Sequence, residues 1–102
     1  MPVHPFGHPF QVDEVYEIAE EKGLEVVEDA ATAFGTKYRG QKVGRRGRAV
    51  CFSFHPRKLL TTAEGGCLVT DDSEVFERAL AMRNHGQVNK GGRARFLVNG
   101  LN

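Results

Sequence analysis

The sequence predicts an α/β protein, and three observations carry that prediction. Helical and strand periodicities alternate along the chain, two apolar runs have the β-branched and aromatic bias of covered strands, and both lead into residues able to do chemistry. LEVVED closes on Asp29, while AVCFSF carries Ser53 near its end and leads to Lys58. In α/β sheets, ligands bind beyond the carboxyl ends of the strands. The 102 residues suffice for one small domain, in which folding buries only roughly 60 to 70% of the chain's surface.

The elements follow in order. Val12, Val15, Ile18 and Ala19 recur at helical spacing and predict a helix over 12–22, with Gly23 placed to end it in a left-handed conformation. Leu24 to Asp29 reads as a short strand. Gly35 to Gly47 is rich in glycine and basic residues, and Lys37, Tyr38 and Arg39 suggest a small hairpin around Gly40. Ala49 to Phe54 and Gly66 to Thr70 are the next strands. Asp71 and Asp72 are good N-caps for a helix over 74–84 that buries Val75, Phe76, Ala79, Leu80 and Met82. The stretch from Gly86 to Asn102 shows little apolar periodicity and is expected to loop over a surface.

Lys58 stands out chemically. It lies just past a covered strand and before a glycine pair, and a neutral lysine amine in a partly desolvated site can form a Schiff base with a carbonyl. Asp29 sits at a strand end before Ala30 and Ala31, which leave room for a flat ring against the backbone. A strand-end carboxylate is otherwise a cap for the next turn. Ser53 offers a short, uncharged hydroxyl able to donate to a phosphoryl oxygen, although strand-end serines usually satisfy local backbone groups.

The segments VVEDAATAFGTKYRGQKVG, FSFHPRKLLTTAEGGCLVTDD and AMRNHG, in this order, resemble the DegT/DnrJ/EryC1/StrS sugar aminotransferases, which use pyridoxal 5′-phosphate (PLP). MPVHPFGHPF and NGLN are similar to further elements of that family. The resemblance implies a fold-type-I PLP-dependent transferase large domain, a three-layer α/β/α arrangement with a mostly parallel sheet. Residues 1–102 would be its central part, truncated at both ends because family members are several times longer. It implies amino transfer from glutamate or glutamine to a nucleotide-linked keto sugar, with Lys58 as the catalytic residue and covalent PLP anchor through an internal aldimine. Asp29 would hold the pyridine nitrogen, Ser53 the phosphate, and Asn102 the phosphate of the neighbouring subunit's cofactor in a homodimer. Thr32 departs from the pattern: many members carry glutamine there, contacting the cofactor's phenolic oxygen, and threonine is shorter. Gln11 replaces a common acidic cap and caps poorly.

A net charge of +1 gives no whole-chain field for nucleic acid or membrane, and no apolar run is long enough to span a bilayer. The basic run Arg45, Arg46 and Arg48, with Arg93 and Arg95, would suit a nucleic-acid module, but Asp13, Glu14, Glu17, Glu20 and Glu21 offset it. Cys51 and Cys67 are expected to be buried free thiols of a cytoplasmic enzyme. With His55 and His85 they match no compact zinc spacing, so no metal is expected. His55 is read as shaping the lysine loop and Glu64 as orienting backbone. A non-catalytic truncated remnant is the alternative, and the isolated chain is expected to be inactive either way.

Overall fold

Helix α1 (Val12–Lys22) realises the amphipathic pattern at its expected bounds in a computed structural model that describes residues 1–101. Val12 and Ala19 are buried, and Gly23 ends the helix in the left-handed region at φ 62°, its N–H reaching the carbonyls of Ala19 and Glu20. Gln11 makes no side-chain cap, as its length foretells. The described residues divide into two units, Met1–Asp71 and a second beginning at Asp72.

In the first unit, strand β1 (Val27–Asp29) pairs in parallel with β4 (Ala49–Ser53), which pairs antiparallel with β5 (Gly66–Val69), giving the sheet order β1-β4-β5. The expected strand from Leu24 is shorter, because pairing starts only where the Arg48 N–H donates to the Val26 carbonyl at 3.0 Å, and Leu24 stays exposed. β2 (Lys37–Tyr38) and β3 (Gln41–Lys42) form the expected hairpin. Its two-residue turn places Arg39 and Gly40 both at positive φ, 47° and 83°, the pattern that matches the twist of paired strands. Along the other edge of β1, Val3 bridges to Asp29, with Asp29 donating to Pro2 and His4 donating back to Asp29, each at 2.9 Å.

Alternation along β1 and β4 separates two faces. The registers Glu28↔Val50 and Asp29↔Cys51 put Glu28, Val50 and Phe52 on the face packed with Ala30, Ala33 and Val43, and put Asp29, Cys51 and Ser53 on the other. Cys51 is therefore exposed; Cys67, aligned with Phe52 on the other face, is exposed as well because β5 is the edge strand and exposed along its length, against the expectation of buried thiols, and both are free. The face of Cys51, assigned from sequence to the core, carries Val27 and Leu68 at 37% and 43% exposure. Burial nonetheless pushes the Cys51 thiol pKa up, with smaller contributions from Asp29 and Cys67.

Within the covered layer, Glu28 is 3% exposed with both carboxylate oxygens engaged. His4 Nε2 lies 2.9 Å from its Oε2, and the Tyr16 hydroxyl of α1 donates to Oε1. Burial first, then this hydrogen bond and the Glu28 charge, raises the Tyr16 pKa and keeps the phenol a neutral donor. At the start of α1, Asp13 gathers Arg46 at 2.6 Å, Arg39 at 2.7 Å and the Tyr38 hydroxyl at 3.2 Å, tying the hairpin to the helix. The Arg46 hydrogen bond above all lowers the Asp13 pKa. Arg48 pairs with Glu25 at 3.3 Å, so much of the basic run is neutralised within the chain.

The second unit holds α2 (Ser73–Arg83), capped as expected by the Asp72 carboxylate, which accepts from the N–H groups of Glu74 and Val75 at 2.8 and 3.1 Å. Of its apolar residues only Ala81 is buried; Phe76 and Leu80 remain 55% and 42% exposed, since this unit offers the helix little besides one hairpin. That hairpin, β6 (Gln87–Lys90) with β7 (Arg93–Phe96), replaces the expected loop. Gly91 and Gly92, both at positive φ, make its two-residue turn, and the Gly-Gly pair was the legible signal. Beyond it the chain returns against the end of α2 at Gly86 and Gly100, where a Cβ on either glycine would overlap the opposing backbone.

Two outcomes follow. Gly100→Ala should destabilise the protein by about 1 to 3 kcal/mol, read from the denaturation midpoint, because the crossing has no room for a methyl group. Asp13→Asn should melt lower than the wild type at neutral pH. A carboxylate whose folded pKa is lowered stabilises above its unfolded value and loses that contribution as the pH falls through the folded one. The gap between the two melting temperatures should therefore close on acidification below the ordinary carboxylate range.

Candidate active site

The parallel pairing of β1 with β4 brings two strand ends side by side at the same edge of the sheet. Asp29 is aligned with Cys51, and Ser53 follows two residues later on the same face. Both are half-buried.

Asp29 is held firmly. Its backbone is bonded to Pro2 and His4 on one side, the next residue, Ala30, donates to the Cys51 carbonyl at 2.9 Å on the other, and its Oδ1 accepts from the Ala31 N–H at 3.0 Å. Asp29 thus caps the turn after β1 and still presents Oδ2, which no described residue engages. Ala30 is fully buried and Ala31 half-buried. The following turn is pinned through Phe34, whose ring meets those of Phe52 and Phe54 edge-on at 5.9 and 6.1 Å.

Ser53 Oγ accepts from the His55 N–H at 3.3 Å, so its hydroxyl proton is available to a further acceptor. The chain then leaves the sheet in a loop that returns as β5. Phe54 N–H donates to Gly65 O at 2.8 Å and closes its neck, while the Phe54 carbonyl accepts from the Thr61 hydroxyl and the Thr62 N–H at 2.9 and 3.1 Å. A Cβ at Gly66 would lie 2.6 Å from the Phe52 carbonyl oxygen, so the neck admits only glycine there. Lys58 sits on this loop, half-buried, in a turn where its N–H donates to His55 O at 2.9 Å. His55 Nδ1 accepts from the Arg57 N–H within the loop, and the main-chain carbonyl of Glu64 accepts from the Thr62 hydroxyl.

Thr32 lies just past β1, and its hydroxyl donates to the His4 carbonyl at 3.0 Å, a backbone contact that a longer glutamine would not need. Asn102 falls outside the described residues. The sequence reading missed His4, Tyr16 and Glu28, which no spacing links, although a histidine and a glutamate at covered positions are a chemical signal once the strand faces are known. A separate cleft of about 180 Å³, lined by Asp13, Glu28, Tyr38, Arg39 and Arg46 among others, lies at the start of α1 and the β2–β3 hairpin. It includes none of Asp29, Ser53 and Lys58.

The chain is similar to known proteins over most of its length. The chain is 44% identical over 91 residues to dTDP-3-amino-3,4,6-trideoxy-alpha-D-glucose transaminase of Streptomyces venezuelae, covering 88% of this chain and 24% of that protein. It superimposes with a TM-score of 0.91 and 35% identity on Helicobacter pylori PseC, an aminotransferase involved in the biosynthesis of pseudoaminic acid, over 97% of this chain and 27% of that one. The PLP form of Spr1654 from Streptococcus pneumoniae matches with a TM-score of 0.84 and 27% identity over 97% of this chain and 30% of that one. The chain thus spans about a quarter of the length of the relatives it matches. Its fold is that of the PLP-dependent aminotransferases, here with one parallel and one antiparallel strand pair in its three-stranded sheet. The model of the DegT/DnrJ/EryC1/StrS aminotransferase family matches residues 1–102, and the chain belongs to that family.

Proposed function

We propose that residues 1–102 are the central part of the PLP-binding large domain of an enzyme that moves an amino group from an amino acid, glutamate or glutamine, to a keto sugar carried on a nucleotide. The observation that carries this reading is the placement of Asp29 and Ser53 at adjacent strand ends, with Lys58 on the loop that follows. The relatives named above support the substrate class. We further propose a cytoplasmic homodimer, with Asn102 reaching the neighbouring subunit's site.

The residues present fit PLP. Ser53 has a donor to spare for a phosphate oxygen, the free Oδ2 of Asp29 can accept from a protonated pyridine nitrogen, and Ala30 and Ala31 leave space for a flat ring. When bound, PLP supplies the electron sink that stabilises a carbanion at the donor's α carbon. Lys58 Nζ would hold PLP through its carbonyl carbon, and the same amine, when free, would be the base that takes the proton from the donor's α carbon. Asp29 would hold the ring nitrogen in its protonated form. Donor and acceptor would use this one site in turn, which gives ping-pong kinetics.

Two variants of the full-length enzyme test these roles. Lys58→Ala should lose the visible absorbance of bound cofactor and nearly all turnover, because anchor and proton carrier go together. Asp29→Asn should keep the covalent link. A full charge partner commonly shifts a pKa by about 1 to 3 units, each about 1.4 kcal/mol. If the lost interaction acts in the carbanion-like transition state, the donor half-reaction should slow by roughly one to three orders of magnitude, with donor binding little altered. Stopped-flow spectra separate the two, and an Asp29→Asn enzyme with unchanged half-reactions would reduce Asp29 to a turn cap.

A further inference from the structure

We propose that His4 is a positioning residue for the Asp29 carboxylate, an inference that rests on the cofactor role given to Asp29 above. Three contacts of one residue converge on the segment that carries Asp29, and a fourth anchors its ring. The His4 N–H donates to the Asp29 carbonyl at 2.9 Å, fixing the outer edge of β1. Its carbonyl accepts the Thr32 hydroxyl at 3.0 Å and so holds the turn that begins at Asp29. Its Nε2 lies 2.9 Å from Glu28 Oε2, and opposite a carboxylate only the N–H form of that nitrogen bonds. The ring also packs against Phe10 at 4.4 Å between centroids. His4 is 1% exposed, far more buried than a loop histidine needs to be.

The geometry gives these contacts a direction. Glu28 is the residue before Asp29 and points to the opposite face of β1, so clamping Glu28 from both sides fixes the rotation of the strand about its own axis. Tyr16 of α1 provides one jaw of that clamp and His4 the other. Strand rotation is what sets where the Asp29 side chain emerges on the far face. Its rotamer is then set by the Ala31 N–H on Oδ1, which leaves Oδ2 pointing in one defined direction. Loss of the His4 side chain removes one jaw of the clamp and the ring contact with Phe10, while the main-chain bonds to Asp29 and Thr32 stay and Asp29, Ser53 and Lys58 remain in the sequence. Misplacement by about 1 Å of a group that must meet a reacting system can cost up to about a hundredfold in rate.

The test uses the full-length enzyme and three readouts: PLP dissociation constant of the apoenzyme, rate of the donor half-reaction, and apoenzyme melting temperature. His4→Ala should weaken PLP binding and slow the half-reaction by about tenfold each, with donor affinity within about twofold of wild type. His4→Gln, whose amide can still donate to Glu28, should recover most of both. A His4→Ala enzyme that melts lower yet binds PLP and reacts as wild type would overturn the proposal and leave His4 a packing residue. If His4→Ala does not fold, Tyr16→Phe removes the other jaw; it should weaken PLP binding by about threefold, and unchanged binding would equally overturn the proposal. Failure of the underlying reading looks different, because the wild type itself would then bind no PLP at a 1:1 ratio.

Discussion

Everything at the candidate site depends on the parallel pairing of two short strands. β1 and β4 are separated by a hairpin and a glycine-rich stretch, yet three residue pairs in register bring Asp29 level with Cys51 and leave Ser53 overhanging by two residues. A parallel pair has both carboxyl ends at one edge, so a carboxylate from one strand and a hydroxyl from the other meet there without either being placed by a flexible loop. A register slip of one residue would send Asp29 to the covered face and Glu28 to the site. Such a slip would also pull Glu28 away from His4 and Tyr16 and leave buried polar groups without those partners, which resists it.

β5 is antiparallel to β4, and this choice governs the lysine loop. An antiparallel return lets the Phe54–Gly65 hydrogen bond shut the loop at its base, with Gly66 admitting the close approach to Phe52. Lys58 is then presented from a short, internally bonded loop. Thr61 and Thr62 both fold back on the Phe54 carbonyl, so the residues around the amine have few ways to rearrange. Leu59 and Leu60 lie on the same loop at 89% and 43% exposure, an apolar surface that a longer relative has the chain length to cover.

Much of this was legible in the sequence, for identifiable reasons. The bounds of α1 and the Asp72 cap came from period and side-chain chemistry that act locally. Asp29, Ser53 and Lys58 could be placed at or beyond strand ends from the length of an apolar run, while the roles given to Asp29 and Ser53 came from the family resemblance. The face of Cys51 was misjudged although a signal existed: in AVCFSF one alternation carries Val50, Phe52 and Phe54 and the other the smaller Ala49, Cys51 and Ser53, so the bulkier apolar set marks the covered face and leaves Cys51 on the open one. The β6–β7 hairpin was missed because its strands are polar and exposed, with Arg93 and Arg95 where a half-buried strand would carry apolar residues; only the glycine pair at its turn spoke for it. The His4–Glu28 pair spans 24 residues and belongs to tertiary structure alone.

Glu28 and Asp29, adjacent in the chain, show how burial sorts identical chemistry into different work. Glu28 faces the covered layer with each carboxylate oxygen engaged, one by a tyrosine and one by a histidine, and serves to tie the strand to its neighbours. Asp29 faces the open side with one oxygen committed to its own turn and the other unengaged among the described residues. A buried carboxylate with both oxygens engaged is a structural tie, and an accessible one with one oxygen open and main-chain bonds on both flanks is preorganised toward whatever donor arrives. The two states are coupled by the strand itself. Because alternation forces neighbouring side chains to opposite faces, the rotation that satisfies Glu28 is the rotation that exposes Asp29, and the buried tie becomes the means by which the exposed acid is aimed.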